Sequence, residues 1–334
     1  MKNLYLISSP FQALCATEAK EYFQLRNNVA LIVNYSNDSD RNLKQIENIM
    51  ALSQWDEIIT IGKQSNTSKY REYIVRLFKL KRDKYKNIFI GHFGQFQHVL
   101  LSNLDYQKVY VIDDGVLTLE LHKNELNPFR KKHPIKFSKQ LKNLRYRLFG
   151  FDVEFDKRKL NYFTLFKLEQ YYGEEIITNN FHFLKKYINE KAQDIKVVYF
   201  LGQPLIGDVV SRESYIKNLT SVQQYFKNQG KKTVYIPHRR ESKDLKYIEE
   251  MEGEYFSIKR PHNIIELFLL EENLLPYGVY SFFSTAIFSL KAIYNDKIEI
   301  AAFEIKNDEL LHNHNKIKNI YTTMKDNNIS VLSV

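Results

Sequence analysis

Short apolar runs alternate with amphipathic stretches along the first part of this chain. Leu4–Ile7, Val29–Val33, Glu57–Ile61, Asn87–Ile90 and Lys108–Ile112 are rich in β-branched, leucine and aromatic residues, the composition of strands. Between them, Phe11–Phe23, Arg41–Leu52, Tyr70–Lys79 and Phe96–Leu104 predict helices. A less regular basic stretch covers about 121–172, and the alternation then restarts. Lys196–Leu201, Thr233–Ile236, Glu254–Ser257, Gly278–Ser281 and Ile298–Phe303 read as strands. Arg212–Gln229 (with Gly230 as its stop), Asn263–Leu270 and Ser284–Tyr294 read as helices. His312-Asn313-His314 reads as a polar loop, and no repeat of solenoid length is present. The pattern predicts an α/β chain with two Rossmann-like domains, 1–175 and 190–334, facing a central cleft, with 121–172 inserted in the first.

Composition supports two cores. The chain has 334 residues, 44% hydrophobic, with 23 Tyr and 23 Phe, which excludes a disordered protein. The single cysteine, Cys15, excludes an internal disulfide and a thiolate metal cluster, and its apolar surroundings mark a buried thiol. Met1-Lys2-Asn3 leads straight into a strand-length run ended by Ser8-Ser9-Pro10, unlike a secretory signal. No window reaches the length of a membrane span, so a cytoplasmic protein is expected.

Charge changes the picture at one place. Net charge is +10, and Arg130–Lys159 holds eleven Lys or Arg against Asp152, Glu154 and Asp156, a net +8. Leu141, Leu144 and Leu148 recur there at helical spacing, giving one apolar face among basic residues. Two readings stay open: a surface helix resting on the inner face of the cytoplasmic membrane, or a helix packed on its own domain with solvated lysines. Arg71–Lys86 is a second basic stretch able to join that surface. No nucleic-acid motif accompanies the charge, so nucleic acid is not an expected partner.

The candidate chemistry sits at strand ends. Asp113-Asp114-Gly115 follows Lys108–Ile112. Adjacent carboxylates resist ionising together, which raises one pKa and makes a general base; the same residues are also ordinary turn chemistry. Pro237-His238-Arg239-Arg240 ends another strand and suits anion handling, with imidazolium donating a proton or a hydrogen bond to a leaving phosphate and arginine gripping it; an exposed basic loop is the plainer reading. Ser281-Phe282-Phe283-Ser284-Thr285 joins a strand to a helix, where Ser284 or Thr285 can cap and the free amides can hold an anion. Glu266 is an acid near a helix start, a candidate for a ribose diol or a solvated helix position. Leu201-Gly202-Gln203-Pro204-Leu205-Ile206-Gly207-Asp208 permits close backbone approach and offers Asp208 as a further base. Ser8-Ser9-Pro10-Phe11-Gln12 holds the corresponding place in the first half, and no metal-binding spacing is present.

The order of an acid-acid-glycine motif, a strand-end histidine and then a serine motif resembles the bacterial sialyltransferases. The likeness is greatest to the lipooligosaccharide sialyltransferase family, with the capsular polysialyltransferases more distant. Asp113-Asp114-Gly115 matches the family's acidic motif, Pro237-His238-Arg239 resembles its His-Pro motif, and Phe282-Phe283-Ser284 its serine motif. Leu201–Pro204 and Ile265-Glu266 fall where that family has a glycine-containing loop and a ribose-binding acid. Arg239 departs from the pattern, standing where the family has proline.

This resemblance implies a GT-B glycosyltransferase with CMP-sialic acid as donor and no cofactor or metal. Transfer would be inverting, to a terminal galactose or sialic acid of a bacterial surface glycan (lipooligosaccharide, O-antigen or capsule) on a lipid carrier. It implies donor contacts from Gly202, Gln203, Pro237, Arg239, Glu266, Ser281, Ser284 and Thr285, with His238 supporting the departing phosphate. Asp113 and Asp114 rank first as base and Asp208 next; Ser9, Gln12, Gly115 and His92 fall on the acceptor side. A homodimer is compatible with all of this. The alternatives are a transferase of the same fold using another CMP-nonulosonic acid or a UDP-sugar, and a basic membrane- or nucleic-acid-binding protein.

Overall fold

The computed structural model describes the chain outside 34–38, 63–65, 124–126, 128–142, 189–190, 239, 242–244 and 295–296. It divides into two compact units, Met1–Phe183 and Leu184–Val334.

The first unit is built on strands β1 (Lys2–Ile7), β2 (Asn28–Val33), β3 (Glu57–Ile61), β4 (Lys84–Ile90), β5 (Asp105–Ile112), β6 (Leu160–Thr164) and β7 (Ile176–Thr178). They form one parallel sheet in the order β3-β2-β1-β4-β5-β6-β7. Its central strands are buried on both faces, and the two faces differ. Leu4, Leu6, Ile88, Ile90, Val109 and Val111 make an aliphatic side. The alternate residues Tyr5, Phe89 and Tyr110 stack on the other, at ring separations of 4.6 and 5.4 Å. The helix Pro10–Tyr22 is buried on nearly every side and contains the buried Cys15. Ser9 caps it in extended conformation, and Pro10 fits its first turn because no N–H is needed there.

Three strands escape the sequence pattern: β6, β7 and, in the second unit, Ser330–Leu332. β6 and β7 lie within and just after the basic stretch and extend the sheet beyond β5. Leu160-Asn-Tyr-Phe-Thr164 is short and interrupted by a polar residue. It pairs in parallel with β5, from Val109–Leu160 to Ile112–Phe163. In the same stretch Leu144 and Leu148 are exposed, while Tyr146 is buried in the core of the unit. Leu141 and the cations from Arg130 to Lys142 lie outside the described residues.

The second unit repeats the design. β8 (Gln193–Leu201), β9 (Lys232–Ile236), β10 (Phe256–Ile258), β11 (Leu275–Ser281), β12 (Glu299–Phe303) and β13 (Ser330–Leu332) form a parallel sheet in the order β10-β9-β8-β11-β12-β13. In each sheet the chain winds outward from its first strand, then crosses to that strand's other side. This puts a topological switch point between β1 and β4 and another between β8 and β11, where α/β proteins bind ligands at the strands' carboxyl ends.

One loop reading is corrected here. His314 opens a helix, His314–Asp326, that leads into β13. Ile317, Tyr321 and Met324 are its buried stripe at spacings of four and three. Three polar residues at its start, His314, Asn315 and Lys316, conceal that stripe in the sequence.

Candidate active site

At the carboxyl end of the first sheet, Ser9 Oγ accepts the Gln12 N–H at 3.2 Å and lies 3.3 Å from Asp114 Oδ1, to which it donates. Gln12 Oε1 accepts Ser8 N and Ser8 Oγ at 2.8 and 2.9 Å. A Cβ at Gly91, the residue after β4, would stand 2.3 Å from Gln12 Cγ, so only glycine fits there. Gln12 therefore lies across the β1/β4 switch point. Its Nε2 is buried without a hydrogen-bond partner.

The two aspartates have different environments. Asp113 is fully buried; it accepts Thr164 Oγ1 at 2.5 Å and Leu165 N at 2.7 Å, tying the end of β5 to the end of β6. Burial pushes its pKa up to about 7 against these hydrogen bonds, and the charge of Asp114 adds least. The raised value thus comes from desolvation rather than from repulsion between neighbours. Asp114 is partly exposed, and its backbone N–H is taken by Thr118 Oγ1 at 3.1 Å. Gly115 adopts φ +64°, so the turn and the acid pair occupy the same residues. His92 is exposed just beyond β4.

At the carboxyl end of the second sheet, Gln203 Oε1 accepts Ser281 Oγ at 3.0 Å and Phe283 N at 2.9 Å. Gln203 thereby fastens the loop after β8 to the loop after β11, as Gln12 spans the switch point of the first sheet. Ser284 Oγ accepts Ala286 N at 3.4 Å and caps the helix Ala286–Tyr294, leaving Thr285 exposed beside it.

His238 follows Pro237 at the end of β9. Its Nδ1 accepts the Arg240 N–H at 3.0 Å, so the neutral ring carries its proton on Nε2. The His238 N–H donates to Glu241 Oε2, and Tyr235 Oη donates to Glu241 Oε1 at 2.6 Å. Tyr235 and Tyr215 hydroxyls meet at 2.8 Å, and the Gln203 N–H reaches Tyr215 Oη at 3.4 Å. A buried polar chain thus runs from Gln203 to His238. Burial raises the Glu241 pKa against the hydrogen bonds that favour its charge. Gly202 seals this chain, since a Cβ there would lie 2.2 Å from Tyr235 Oη and 2.5 Å from Glu241 Oε2. Sequence reasoning missed Glu241, Tyr215 and Tyr235. The available signal was spacing, with Tyr235 three residues before His238 and Glu241 three after.

The remaining candidates fall apart from these clusters. Glu266 is buried rather than a solvated helix position; it accepts Ser289 Oγ at 2.5 Å, and burial raises its pKa. Its backbone carbonyl accepts Tyr294 Oη at 2.8 Å, which fixes the helix Ile265–Glu271 on the helix Ala286–Tyr294. Asp208 is exposed in a turn beside Gly207 at φ +85°, and no hydrogen bond among the described residues joins it to Gln203 or Ser281. Arg239 lies outside the described residues.

Two Rossmann-like parallel sheets, each with its polar cluster at the carboxyl end, define a GT-B type of fold, shared by glycosyltransferases and nucleotide-sugar epimerases. The profile of glycosyltransferase family 52 matches residues 31–307. The chain belongs to that family, the bacterial lipooligosaccharide sialyltransferases, and is a glycosyltransferase. No curated protein matches it. Among solved structures it is similar to the UDP-GlcNAc 2-epimerase from Methanocaldococcus jannaschii, with 12% identity, a TM-score of 0.56, and 100% of this chain and 89% of that chain covered. It is also similar to S. aureus MnaA in a co-structure with UDP, at 10% identity and TM-score 0.51, covering 98% and 88% of the two chains. At such identities the likeness establishes the fold alone.

Proposed function

We propose that this protein is an inverting sialyltransferase that moves sialic acid from CMP-sialic acid to a hydroxyl of a terminal galactose or sialic acid on a lipid-linked bacterial surface glycan. Family membership supports the reaction class. The observation that carries the mechanism is the ring of His238 at the end of β9, whose Nδ1 accepts the Arg240 N–H and so leaves Nε2 as the ring's donor.

In this reading the second unit holds the donor. The loops tied by Gln203 and the start of the helix Ala286–Tyr294 present backbone amides to phosphate or to the sugar carboxylate. Asp114 takes the proton of the acceptor hydroxyl, and that oxygen bonds to the anomeric carbon. The bond from this carbon to the phosphate oxygen breaks, and its electron pair leaves with CMP. The Nε2–H of His238 donates to the departing phosphate. A single displacement inverts the anomeric centre. Asp114 is assigned as base over Asp113 because Asp113 is fully buried and already engaged by Thr164 and Leu165. Gln12 Nε2, buried without a hydrogen-bond partner among the described residues, supports a polar ligand group at this switch point. Phosphate charge is proposed to be met by these donors rather than by a metal.

The test is CMP release from CMP-sialic acid in EDTA, with lactose as acceptor. Acceptor-dependent release, lost in His238→Ala and Asp114→Asn, is the expected result. A thermal shift with UDP-sugars and none with CMP would overturn the donor.

A further inference from the structure

We propose that the side-chain amides of Gln12 and Asn179 set acceptor specificity, each donating to an oxygen of a different sugar. The first unit then reads the last two sugars of the glycan rather than its terminal ring alone. This deepens the assignment of Asp114 as the base for a galactose hydroxyl, and rests on it.

Both amides are fixed, and both have a donor left over. Gln12 Oε1 is held by the backbone N–H of Ser8, and Asn179 Oδ1 by the backbone N–H of Phe181 at 3.1 Å. A backbone N–H only donates, so neither amide can be turned end for end, and each presents its NH2 elsewhere. Both residues are 1% exposed, and Gln12 Nε2 and Asn179 Nδ2 lack a hydrogen-bond partner among the described residues. Buried polar groups are nearly always satisfied, so two such donors on one edge need an outside acceptor. The other buried polar atoms without a partner, on Trp55, Tyr70, Tyr162 and Thr233, do not stand at a strand's carboxyl end.

The two amides share one edge with the proposed base between them. The carboxyl ends of β4, β5, β6 and β7 are consecutive in the sheet. Gln12 packs against Gly91 after β4, Asp114 follows β5, and Asn179 follows β7. Ser9 ties the start of the helix Pro10–Tyr22 to Asp114, and the Phe11 ring meets the Phe181 ring at 6.5 Å. Phe181 adopts φ +51°, a left-handed conformation costly for an aromatic residue, and its N–H is what sets the Asn179 amide. Three strand spacings separate β4 from β7, about 14 Å in all. One pyranose ring cannot reach both ends of that span; two joined rings can, with the amides reaching inward. Two NH2 donors flanking a carboxylate fit a neutral polyol, whose oxygens accept and whose reacting hydroxyl gives up its proton. Ser8 is half-exposed, and Thr178 and Asn180 on either side of Asn179 are exposed. A rotamer change of these outer side chains admits the acceptor.

The experiment compares methyl β-galactoside with lactose as acceptors, and reads lactose contacts by saturation-transfer NMR on the full chain with CMP present. In wild type, kcat/KM for lactose should exceed that for methyl β-galactoside by about tenfold, and saturation should reach both rings. Asn179→Ser keeps an oxygen for the Phe181 N–H but removes the NH2 donor. The ratio should fall to about one, with loss of saturation at the glucose ring. Gln12→Glu keeps the oxygen held by Ser8 and removes the other donor, so it should weaken both acceptors alike and leave the ratio high. A wild-type ratio near one, saturation of the galactose ring only, no lactose binding, or an unchanged ratio in Asn179→Ser would overturn the proposal. If Asn179→Ser does not fold, the wild-type ratio and NMR contacts decide. Lactose bound through both rings without CMP release from CMP-sialic acid would sink the donor reading and support this one.

Discussion

Ser9 Oγ donates to Asp114 Oδ1 across 3.3 Å, joining residues 105 positions apart. The same oxygen caps the helix Pro10–Tyr22 through the Gln12 N–H, so one hydroxyl orders a helix start and orients a carboxylate. Ser9→Ala removes both. It should cost about 1 kcal/mol of stability and lower kcat through a misplaced Asp114. Asp114→Asn should abolish turnover while leaving the cap and the melting temperature intact. Equal turnover in Asp114→Asn and wild type would remove Asp114 from the base role.

Asp113 makes stability depend on pH. Its folded pKa is raised from 3.8 to about 7, so the folded state holds a proton that the unfolded chain has released. The stabilising contribution is full below the unfolded value and fades as pH rises through the folded one. Wild-type stability should therefore decline from about pH 4 to about pH 7, then level off. Asp113→Asn cannot ionise and should show a flatter profile over that window. Urea midpoints measured at several pH values would decide, and parallel profiles would remove Asp113 as the source.

Glu241 accepts the backbone N–H of His238, which in the proposed mechanism makes it a positioning residue. Glu241→Gln keeps the volume but offers only one acceptor oxygen, where Tyr235 Oη and the His238 N–H now use two. Turnover should fall about tenfold with little change in donor KM, and the pH profile of kcat should shift. His238→Ala should cost more, about 10² to 10⁴ in kcat. If Glu241→Gln raised donor KM and left kcat alone, Glu241 would be part of donor binding instead.

Gly202→Ala introduces a methyl 2.2 Å from Tyr235 Oη. Overpacking of this kind costs about 1–3 kcal/mol. The expected outcome is a lower melting temperature together with lower turnover, because the displaced Tyr235 and Glu241 carry His238. Gly207→Ala, whose Cβ meets nothing within 4 Å, should be strained by its φ of +85° but leave kcat unchanged.

Gln203 holds the loops after β8 and β11 together by accepting from Ser281 Oγ and Phe283 N. Gln203→Ala leaves the Phe283 N–H short of a partner, while Ser281 Oγ keeps the Leu201 carbonyl at 3.0 Å, a cost of about 1–3 kcal/mol. CMP should then bind more weakly, by an amount calorimetry can read, while Gln12→Ala in the other unit should leave CMP affinity unchanged.

The local pattern was sufficient for most of the fold. β1 to β5 and the helices between them follow from runs whose apolar residues recur at strand or helix spacing, and these segments form wherever such faces can be buried. The strand-end positions of Asp113, His238 and Ser281 were legible for the same reason, because a strand's end is where its apolar run stops. Tertiary structure alone decided the rest. β6 and β7 fall in and just after an irregular basic stretch, and their pairing beyond β5 is what builds them into the sheet. Asp113 and Asp114 are adjacent in sequence, yet one is sealed by Thr164 and Leu165 and the other reaches Ser9. Burial, not proximity, separates their roles. Glu241, Tyr215 and Tyr235 became one chain because Gly202 lets two loops close on them. Such placement depends on which distant groups share a low-dielectric site, a long-range property that no window of sequence contains.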